Sequence, residues 1–206
     1  MKIYQEYVNT VSEAIKKKSE VRFVAQQLLK MHAEALSRHN PIIVELGVDK
    51  GQSTRVFLNS IDGKVGAKLI SIDIRDCSRA VNSDNWCFIQ SSSTNIDAIC
   101  RSAPIIKNGI DILYVDSLHT ASHVYKELYG FFPYVKKDGI IFFDDIDSGP
   151  YKAGQRKDSV SVEVANRSIF KLLDMVFENN LDQLDFEVMR GSTGLAKFTK
   201  KSNIGD

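Results

Sequence analysis

The fold is decided by residues 41–54, which read PIIVELGVDKGQST. The first half is apolar apart from Glu45, which is typical of a strand that is covered on both faces of a sheet. Gly47 and Gly51 allow the backbone to turn sharply and to approach a ligand closely, and Ser53 can cap a following helix. The stretch therefore predicts a strand, a turn and a helix, although it matches neither the GxGxxG nor the Walker A pattern.

Apolar runs alternate with helical periodicity along the rest of the chain. The further runs lie at 69–73, 86–89, 112–116 and 140–144, and the helical segments lie at 53–61, 94–102, 121–135 and 160–178. Two last strands are expected at 184–190 and 195–199, joined by a GSTG hairpin turn. This order predicts an α/β, Rossmann-like three-layer sandwich whose mostly parallel seven-stranded sheet ends in an antiparallel hairpin.

Residues 1–40 differ from the rest because their apolar residues recur every three or four positions. The pattern predicts two extra N-terminal helices, joined near residues 18–20. We therefore expect a helical extension over 1–40, followed by one compact domain over 41–206. The extension either covers the cleft or forms a contact between two copies of the chain, so a homo-oligomer is one expectation.

Composition excludes several classes of protein. The 206 residues include 27 Lys and Arg and 26 Asp and Glu, so the net charge of +1 argues against a nucleic-acid partner. No apolar run approaches the roughly 18 residues that span a bilayer, so no membrane partner is expected. The three cysteines are odd in number and lack CxxC spacing, which indicates reduced thiols and a cytoplasmic location.

Carboxylates terminate four of the five apolar runs, at Glu45, Asp73, Asp116 and the pair Asp144 and Asp145. Ligands of open parallel sheets bind beyond the carboxyl ends of the strands, so these acids are expected at one site. This much negative charge favours a bound group that is positive or rich in hydroxyls. Asp73 in particular is placed to accept hydrogen bonds from a ribose diol.

A second constellation joins the fourth and fifth runs. Asp116, Asp144 and Asp145 suit a hard divalent cation such as Mg²⁺, which prefers oxygen ligands. His119 follows Asp116 by three residues and is a candidate general base. Alternatively, His119 caps the next helix and the acids face solvent. His123 is either a second candidate base or a surface residue.

Together these motifs resemble the class I S-adenosylmethionine-dependent methyltransferases. More narrowly, they are similar to the metal-dependent sugar O-methyltransferase branch that includes the macrocin methyltransferases and the cephalosporin-hydroxylase-like proteins. The resemblance covers about residues 41–147. It is carried by the ELGV-x-x-G-x-ST stretch from Glu45, by Asp73, by Val115-Asp116-x-x-His119 and by Gly139 to Asp145.

The resemblance implies a role for each matching residue. Asp73 would hold the ribose, and His119 would deprotonate the acceptor hydroxyl. The methionine end of the cofactor would lie on Glu45, Gly47, Gly51 and Ser53, the adenine on Ser91 and Ser92, and the metal on Asp116, Asp144 and Asp145, with Asp116 also beside the cofactor.

Two departures concern the acceptor rather than the cofactor: Ala121 replaces a frequent aromatic residue, and Asp138 precedes Gly139 where the family often has Gly-Gly. The polar loop at 147–158 is either a substrate lid or a surface loop. The expected function is S-adenosylmethionine-dependent, metal-assisted O-methylation of a small sugar-containing acceptor. The alternatives are a catechol-like phenol acceptor and a non-catalytic cofactor-binding module, whereas a nicotinamide dehydrogenase explains neither acidic motif.

Overall fold

The structure is a computed structural model that describes residues 21–152 and 160–202. Within these residues, seven strands form one sheet: β1 (Ile42–Leu46), β2 (Lys68–Asp73), β3 (Trp86–Gln90), β4 (Ile110–Val115), β5 (Val135–Asp144), β6 (Leu184–Met189) and β7 (Leu195–Lys200). Their order is β3-β2-β1-β4-β5-β7-β6. Strands β1 to β5 are parallel, and β7 is antiparallel to both β5 and β6. The predicted sheet and its C-terminal hairpin are confirmed.

Helices cover both faces of the sheet. The described ones are α1 (Val21–Leu36), α2 (Gln52–Ser60), α3 (Ile96–Ser102), α4 (Ala121–Phe131), the short α5 (Gly149–Lys152) and α6 (Val160–Glu178). Alternate strand residues face opposite layers. Val44 and Val115 pack with α3, α4 and α6, whereas Ile43 and Tyr114 pack with α1 and α2. The three-layer sandwich follows from this alternation.

Most predicted elements are confirmed, with changes at their boundaries. The helix predicted over 121–135 ends at Phe131, where a 3-10 segment (Phe132–Tyr134) begins. Pro133 lies in that segment, because proline lacks the N–H group that an α-helix interior requires. Strand β5 begins at Val135, well before the predicted start at residue 140.

The connections of β1 and β4 open the crevice that positions the site. β1 continues to α2 on one face, whereas its neighbour β4 continues to α4 on the opposite face. The two loops therefore diverge at the carboxyl ends of the strands, where open α/β sheets bind ligands. The amide of Asp116 donates to the carbonyl of Leu46 at 2.9 Å. This bond extends the pairing of β1 with β4 to the rim of the crevice.

Some predictions fall partly outside the described residues. The first N-terminal helix, within residues 1–20, is one of these, and so are residues 153–158 of the predicted lid. Among the described residues, no helix is long and apolar enough to cross a membrane. The three cysteines are free thiols, as predicted, and Cys77 and Cys100 are buried.

Candidate active site

Two cavities open at the carboxyl edge of the sheet. The first cavity, about 320 Å³, is lined by Gly47, Val48, Asp49, Ile72, Asp73, Ile74, Arg75, Ser91, Ser92, Ser93, Asp116, Ser117, Leu118 and His123. The second cavity, about 370 Å³, is lined by Val24, Gln27, Leu28, Met31, Val48, Asp49, Lys50, Gln52, Ser53, Tyr114, Asp116, Asp144, Thr193 and Leu195. Val48, Asp49 and Asp116 line both, so the two cavities meet between β1 and β4.

The turn after β1 requires glycine at residue 47. Gly47 has a φ of +98°, and a Cβ atom there would lie 1.9 Å from the carbonyl oxygen of Asp116. Gly51 has a φ of +73° and forms the N-cap of α2. Glycine tolerates both conditions because it has no side chain. The β1–α2 loop can therefore lie directly against the end of β4.

Glu45 lies below the cavities rather than in them. Its carboxylate is fully buried and accepts hydrogen bonds from Ser53 (2.5 Å), Thr54 (2.8 Å) and Ser71 (2.6 Å). Burial raises the pKa of Glu45 to about 7, although these three hydroxyls oppose the shift. Glu45 is thus placed to hold the start of α2 against β1 and β2.

The four residues that the resemblance assigns to the methionine end of the cofactor therefore do not line one cavity. Only Gly47 of these four lines the first cavity, and Ser53 lines the second. The predicted capping role of Ser53 is wrong, because α2 begins one residue earlier, after Gly51, and has no side-chain cap. Instead, the Ser53 hydroxyl donates to Glu45.

Asp73 ends β2 at the wall of the first cavity. Its Oδ2 accepts from the amides of Val48 (2.9 Å) and Asp49 (3.3 Å), and its Oδ1 accepts from the amide of Arg75 (2.9 Å). The Arg75 guanidinium lies 3.6 Å from Oδ1 and also contacts Asp49. Burial alone would raise the pKa of Asp73, but the three amides and Arg75 outweigh it, so the pKa is lowered. Asp73 is held as an anion.

Ser91 and Ser92 follow β3 and line the same cavity as Asp73. The amide of Ser91 donates to the carbonyl of Asp73 at 3.0 Å, and the Ser92 hydroxyl lies 3.0 Å from that of Thr94. The structure thus brings Gly47, Asp73 and the two serines to one cavity, as the sequence predicts.

Asp116, His119 and Asp145 form one cluster beside the cavities. Nε2 of His119 lies 3.1 Å from Oδ1 of Asp116, and Nδ1 lies 2.6 Å from Oδ2 of Asp145. These two carboxylates, Asp116 first, raise the pKa of His119 to about 10. The ring is therefore an imidazolium near pH 7 in this arrangement. One ligand atom from each residue lies within 4.8 Å of the others, a spacing that could hold a metal ion.

Asp144 lies outside this cluster in this arrangement, and its role as a metal ligand stays a prediction. Its Oδ2 accepts from the Tyr114 hydroxyl (2.9 Å), and its Oδ1 accepts from the Thr193 hydroxyl (2.8 Å). The side chains of Asp144 and Asp145 point in different directions, because consecutive residues at a strand end face opposite sides of the sheet; Asp145 then leaves the strand with a φ of +57°. The third member of the cluster is His119, which the sequence predicts as the general base.

Tyr114 and Thr193 are the site residues that sequence reasoning missed. The Tyr114 hydroxyl also lies 3.1 Å from Asp116, but it has one proton and donates to one acid at a time. Burial, together with the charges of Asp116 and Asp145, raises the pKa of Asp144, so a carboxyl proton can complete this network. Tyr114 precedes Asp116 by two residues on the same strand face, a signal that could have revealed it. Thr193 carried no such signal.

A parallel sheet with a crevice between β1 and β4, lined by acids at the strand ends, defines a class of nucleotide-binding α/β proteins. Within that class, residues 44–146 match a family described as a methyltransferase domain. The match spans half of the chain, and the chain belongs to this family. Its fold is that of the class I S-adenosylmethionine-dependent methyltransferases.

Solved methyltransferases share this fold at low sequence identity. A Podospora anserina methyltransferase, PaMTH1, with bound S-adenosylhomocysteine, has a TM-score of 0.64 and 16% identity over 95% of this chain and 88% of that one. TomG, an O-methyltransferase of tomaymycin synthesis from Streptomyces achromogenes, solved with S-adenosylmethionine, has a TM-score of 0.63 and 12% identity over 86% and 81%. These values establish likeness of fold.

MycE, a methyltransferase of the mycinamycin pathway, has a TM-score of 0.60 and 17% identity, over 84% of this chain and 48% of its own. Its structure contains Mg, S-adenosylhomocysteine and mycinamycin VI. The chain therefore spans about half the length of MycE. No curated protein matches the sequence significantly.

Proposed function

We propose that this chain is an S-adenosylmethionine-dependent O-methyltransferase that uses a divalent cation, such as Mg²⁺, to methylate a hydroxyl of a small sugar-containing acceptor. The observation that carries the proposal is the place of Asp116. It lines both cavities and belongs to the cluster with His119 and Asp145. A methyl donor in the first cavity and an acceptor in the second would meet there, as in-line transfer requires.

The first cavity is assigned to the cofactor. Gly47 allows close approach of the loop, and Asp49 and Asp116 supply negative charge for the sulfonium at the junction of the cavities. Asp73 would accept from the ribose hydroxyls. Because three amides and Arg75 already surround its oxygens, the exposed Arg75 side chain must move away from Oδ1 to admit the ribose. Ser91 and Ser92 would border the adenine.

The acidic cluster fits a divalent cation. Asp116 and Asp145 offer oxygen ligands, and the His119 imidazolium between them occupies the position of a positive charge. Asp144 would join as a ligand by giving up its bond to Tyr114 or Thr193. When bound, such a cation lowers the pKa of a coordinated hydroxyl.

His119 is assigned as the general base. Held by two carboxylates, its ring is charged and cannot accept a proton. If Asp116 and Asp145 held a cation, they would stabilise the imidazolium less, and the pKa of His119 would fall toward the range that base catalysis needs. A neutral His119 can then take the proton of the acceptor hydroxyl.

The wall of the second cavity supports a second candidate acceptor, a catechol-like phenol. Val24, Leu28 and Met31 of α1 line this cavity with apolar side chains. An aromatic ring can bury one apolar face against such a wall, whereas a sugar ring presents fewer apolar atoms. The two candidates share the cofactor, the cluster and the base.

Methyl transfer from labelled S-adenosylmethionine to methyl glycosides and to catechols, with Mg²⁺ and with EDTA, tests the proposal. We expect transfer to one acceptor class, and we expect EDTA to abolish it. Undiminished transfer in EDTA would refute the role of the metal. Absence of S-adenosylmethionine binding by the intact protein would refute the function altogether.

A further inference from the structure

The first cavity has a polar end that the proposed transfer does not use. Ser93 follows β3, Ser117 follows β4, and His123 and Glu127 lie one turn apart on α4. Nε2 of His123 lies 2.9 Å from the hydroxyl of Ser93 and 3.2 Å from Oε1 of Glu127. Ser117 donates to the same carboxylate oxygen. Ser93, Ser117 and His123 line the cavity, and Glu127 is fully buried behind them.

This cluster lies at the end of the first cavity that is remote from the second cavity. The second cavity lies on the face covered by α1 and α2, whereas Ser93 and His123 belong to the face covered by α3 and α4. The proposed transfer places the sulfonium at the junction formed by Val48, Asp49 and Asp116. Since adenosine extends away from the sulfonium, its base would lie toward Ser93 and His123.

Glu127 determines which ring nitrogen of His123 remains for a ligand. Nε2 is engaged by Ser93 and Glu127, so Nδ1 is the free ring nitrogen. Because Oε1 of Glu127 already accepts from Ser117, Nε2 of His123 against the same oxygen is placed as the N–H donor, which leaves Nδ1 as the acceptor. An acceptor at this position matches the 6-amino group of adenine, which donates. It opposes the 6-oxo group of hypoxanthine, which accepts.

We propose that His123, positioned by Glu127, recognises the 6-amino edge of the cofactor's adenine and makes the site selective for adenosyl over inosyl cofactors. The proposal rests on the proposed function, because it assigns the first cavity to S-adenosylmethionine. Ile74 and Leu118, both largely exposed at this cavity, supply apolar contacts for the faces of the base.

Calorimetric titration with S-adenosylhomocysteine and with S-inosylhomocysteine tests the proposal. We expect the wild type to bind the adenosyl compound at least about tenfold more tightly, the usual effect of one mismatched hydrogen bond. H123A should bring this ratio close to one. E127Q should lower the ratio while adenosyl binding persists, because a glutamine side chain no longer fixes which ring nitrogen of His123 carries the proton. S122A, which changes the exposed neighbour of His123, should keep the wild-type ratio.

Each alternative outcome is decisive. A wild-type ratio near one, or a wild-type ratio retained in H123A, would overturn the proposal while leaving the proposed function intact. If H123A does not fold, H123L, which fills the site without a ring nitrogen, provides the same comparison. Failure of the wild type to bind S-adenosylhomocysteine would overturn the proposed function, and this proposal with it.

Discussion

Among single residues, Glu45 has a protonation state that the fold itself sets. Burial raises its pKa from 4.5 to about 7, against the opposing hydrogen bonds from three hydroxyls. Between these values the folded chain holds a proton that the unfolded chain has released. The contribution of Glu45 to the free energy of unfolding is therefore full below pH 4.5. It decreases by roughly 3 kcal/mol as the pH rises to about 7.

We predict that E45Q removes this pH dependence. Relative to the wild type, the free energy of unfolding of E45Q should increase by roughly 3 kcal/mol between about pH 5 and about pH 8, because glutamine does not ionise. Urea unfolding at both pH values measures the difference, and E178Q, at an exposed glutamate, is the control. A difference between E45Q and wild type that is the same at both pH values would contradict the account of Glu45.

A second prediction for a single residue concerns His119. If it is the general base, H119A should lower the rate of methyl transfer by about 10²–10⁴-fold, while the affinity for S-adenosylhomocysteine changes little, because His119 does not line the first cavity. Single-turnover kinetics and calorimetry measure the two effects separately. A near-normal rate in H119A would assign the residue a structural role.

The residues of the acidic cluster were predictable to different degrees. Asp116 and Asp145 follow neighbouring parallel strands, so their approach follows from strand order, and the three-residue spacing brings His119 to them. The direction of Asp144 follows from strand alternation, because it ends β5 on the face of Phe142 and Tyr114. Thr193 reaches Asp144 only through the pairing of β5 with β7, which no local pattern reveals.

Among the elements, the β1–α2 loop has the strictest steric requirement. We predict that G47A destabilises the fold far more than G63A does. Both glycines have positive φ, +98° and +72°, but a Cβ at Gly47 would meet the Asp116 carbonyl at 1.9 Å, whereas Gly63 has open space around it. G63A should therefore lose about 1 kcal/mol for backbone conformation alone. Thermal unfolding compares them, and equal losses would contradict the close approach.

Helix α1 is the element whose role the sequence left undecided. Periodicity predicted the helix, but periodicity does not identify the surface that a helix covers. The structure places Val24, Gln27, Leu28 and Met31 in the wall of the second cavity. Gln27 donates to the Gly191 carbonyl at 3.0 Å, which ties the helix to the β6–β7 turn. Association of two chains through the N-terminal helices stays a prediction.

If α1 lines the acceptor site, V24W should block methyl transfer and leave cofactor affinity unchanged. Val24 lines the second cavity, and an indole there would fill part of its roughly 370 Å³. A33W, on the exposed side of the same helix, is the matched control and should remain active. Equal activity of V24W and A33W would show that the acceptor binds elsewhere.

For the whole molecule, the distribution of charge matters more than its sum. The net charge is only +1, yet Asp49, Asp73, Asp116 and Asp144 all border the two cavities. Such a site favours cations, and a sulfonium cofactor and a divalent metal are both cations. The sheet, its order and its acidic edge could be predicted because strand periodicity is local. The shapes of the two cavities could not, because they depend on long-range packing of α1 and of the hairpin.

Calorimetric titration of the wild type and of D73A with S-adenosylhomocysteine tests the central claim most directly. Asp73 is the buried anion at the middle of the first cavity wall, so the account predicts binding by the wild type and at least about tenfold weaker binding by D73A. D62A, at an exposed aspartate, should bind like the wild type. No binding by the wild type, or equal affinity in D73A, would contradict the placement of the cofactor in the first cavity.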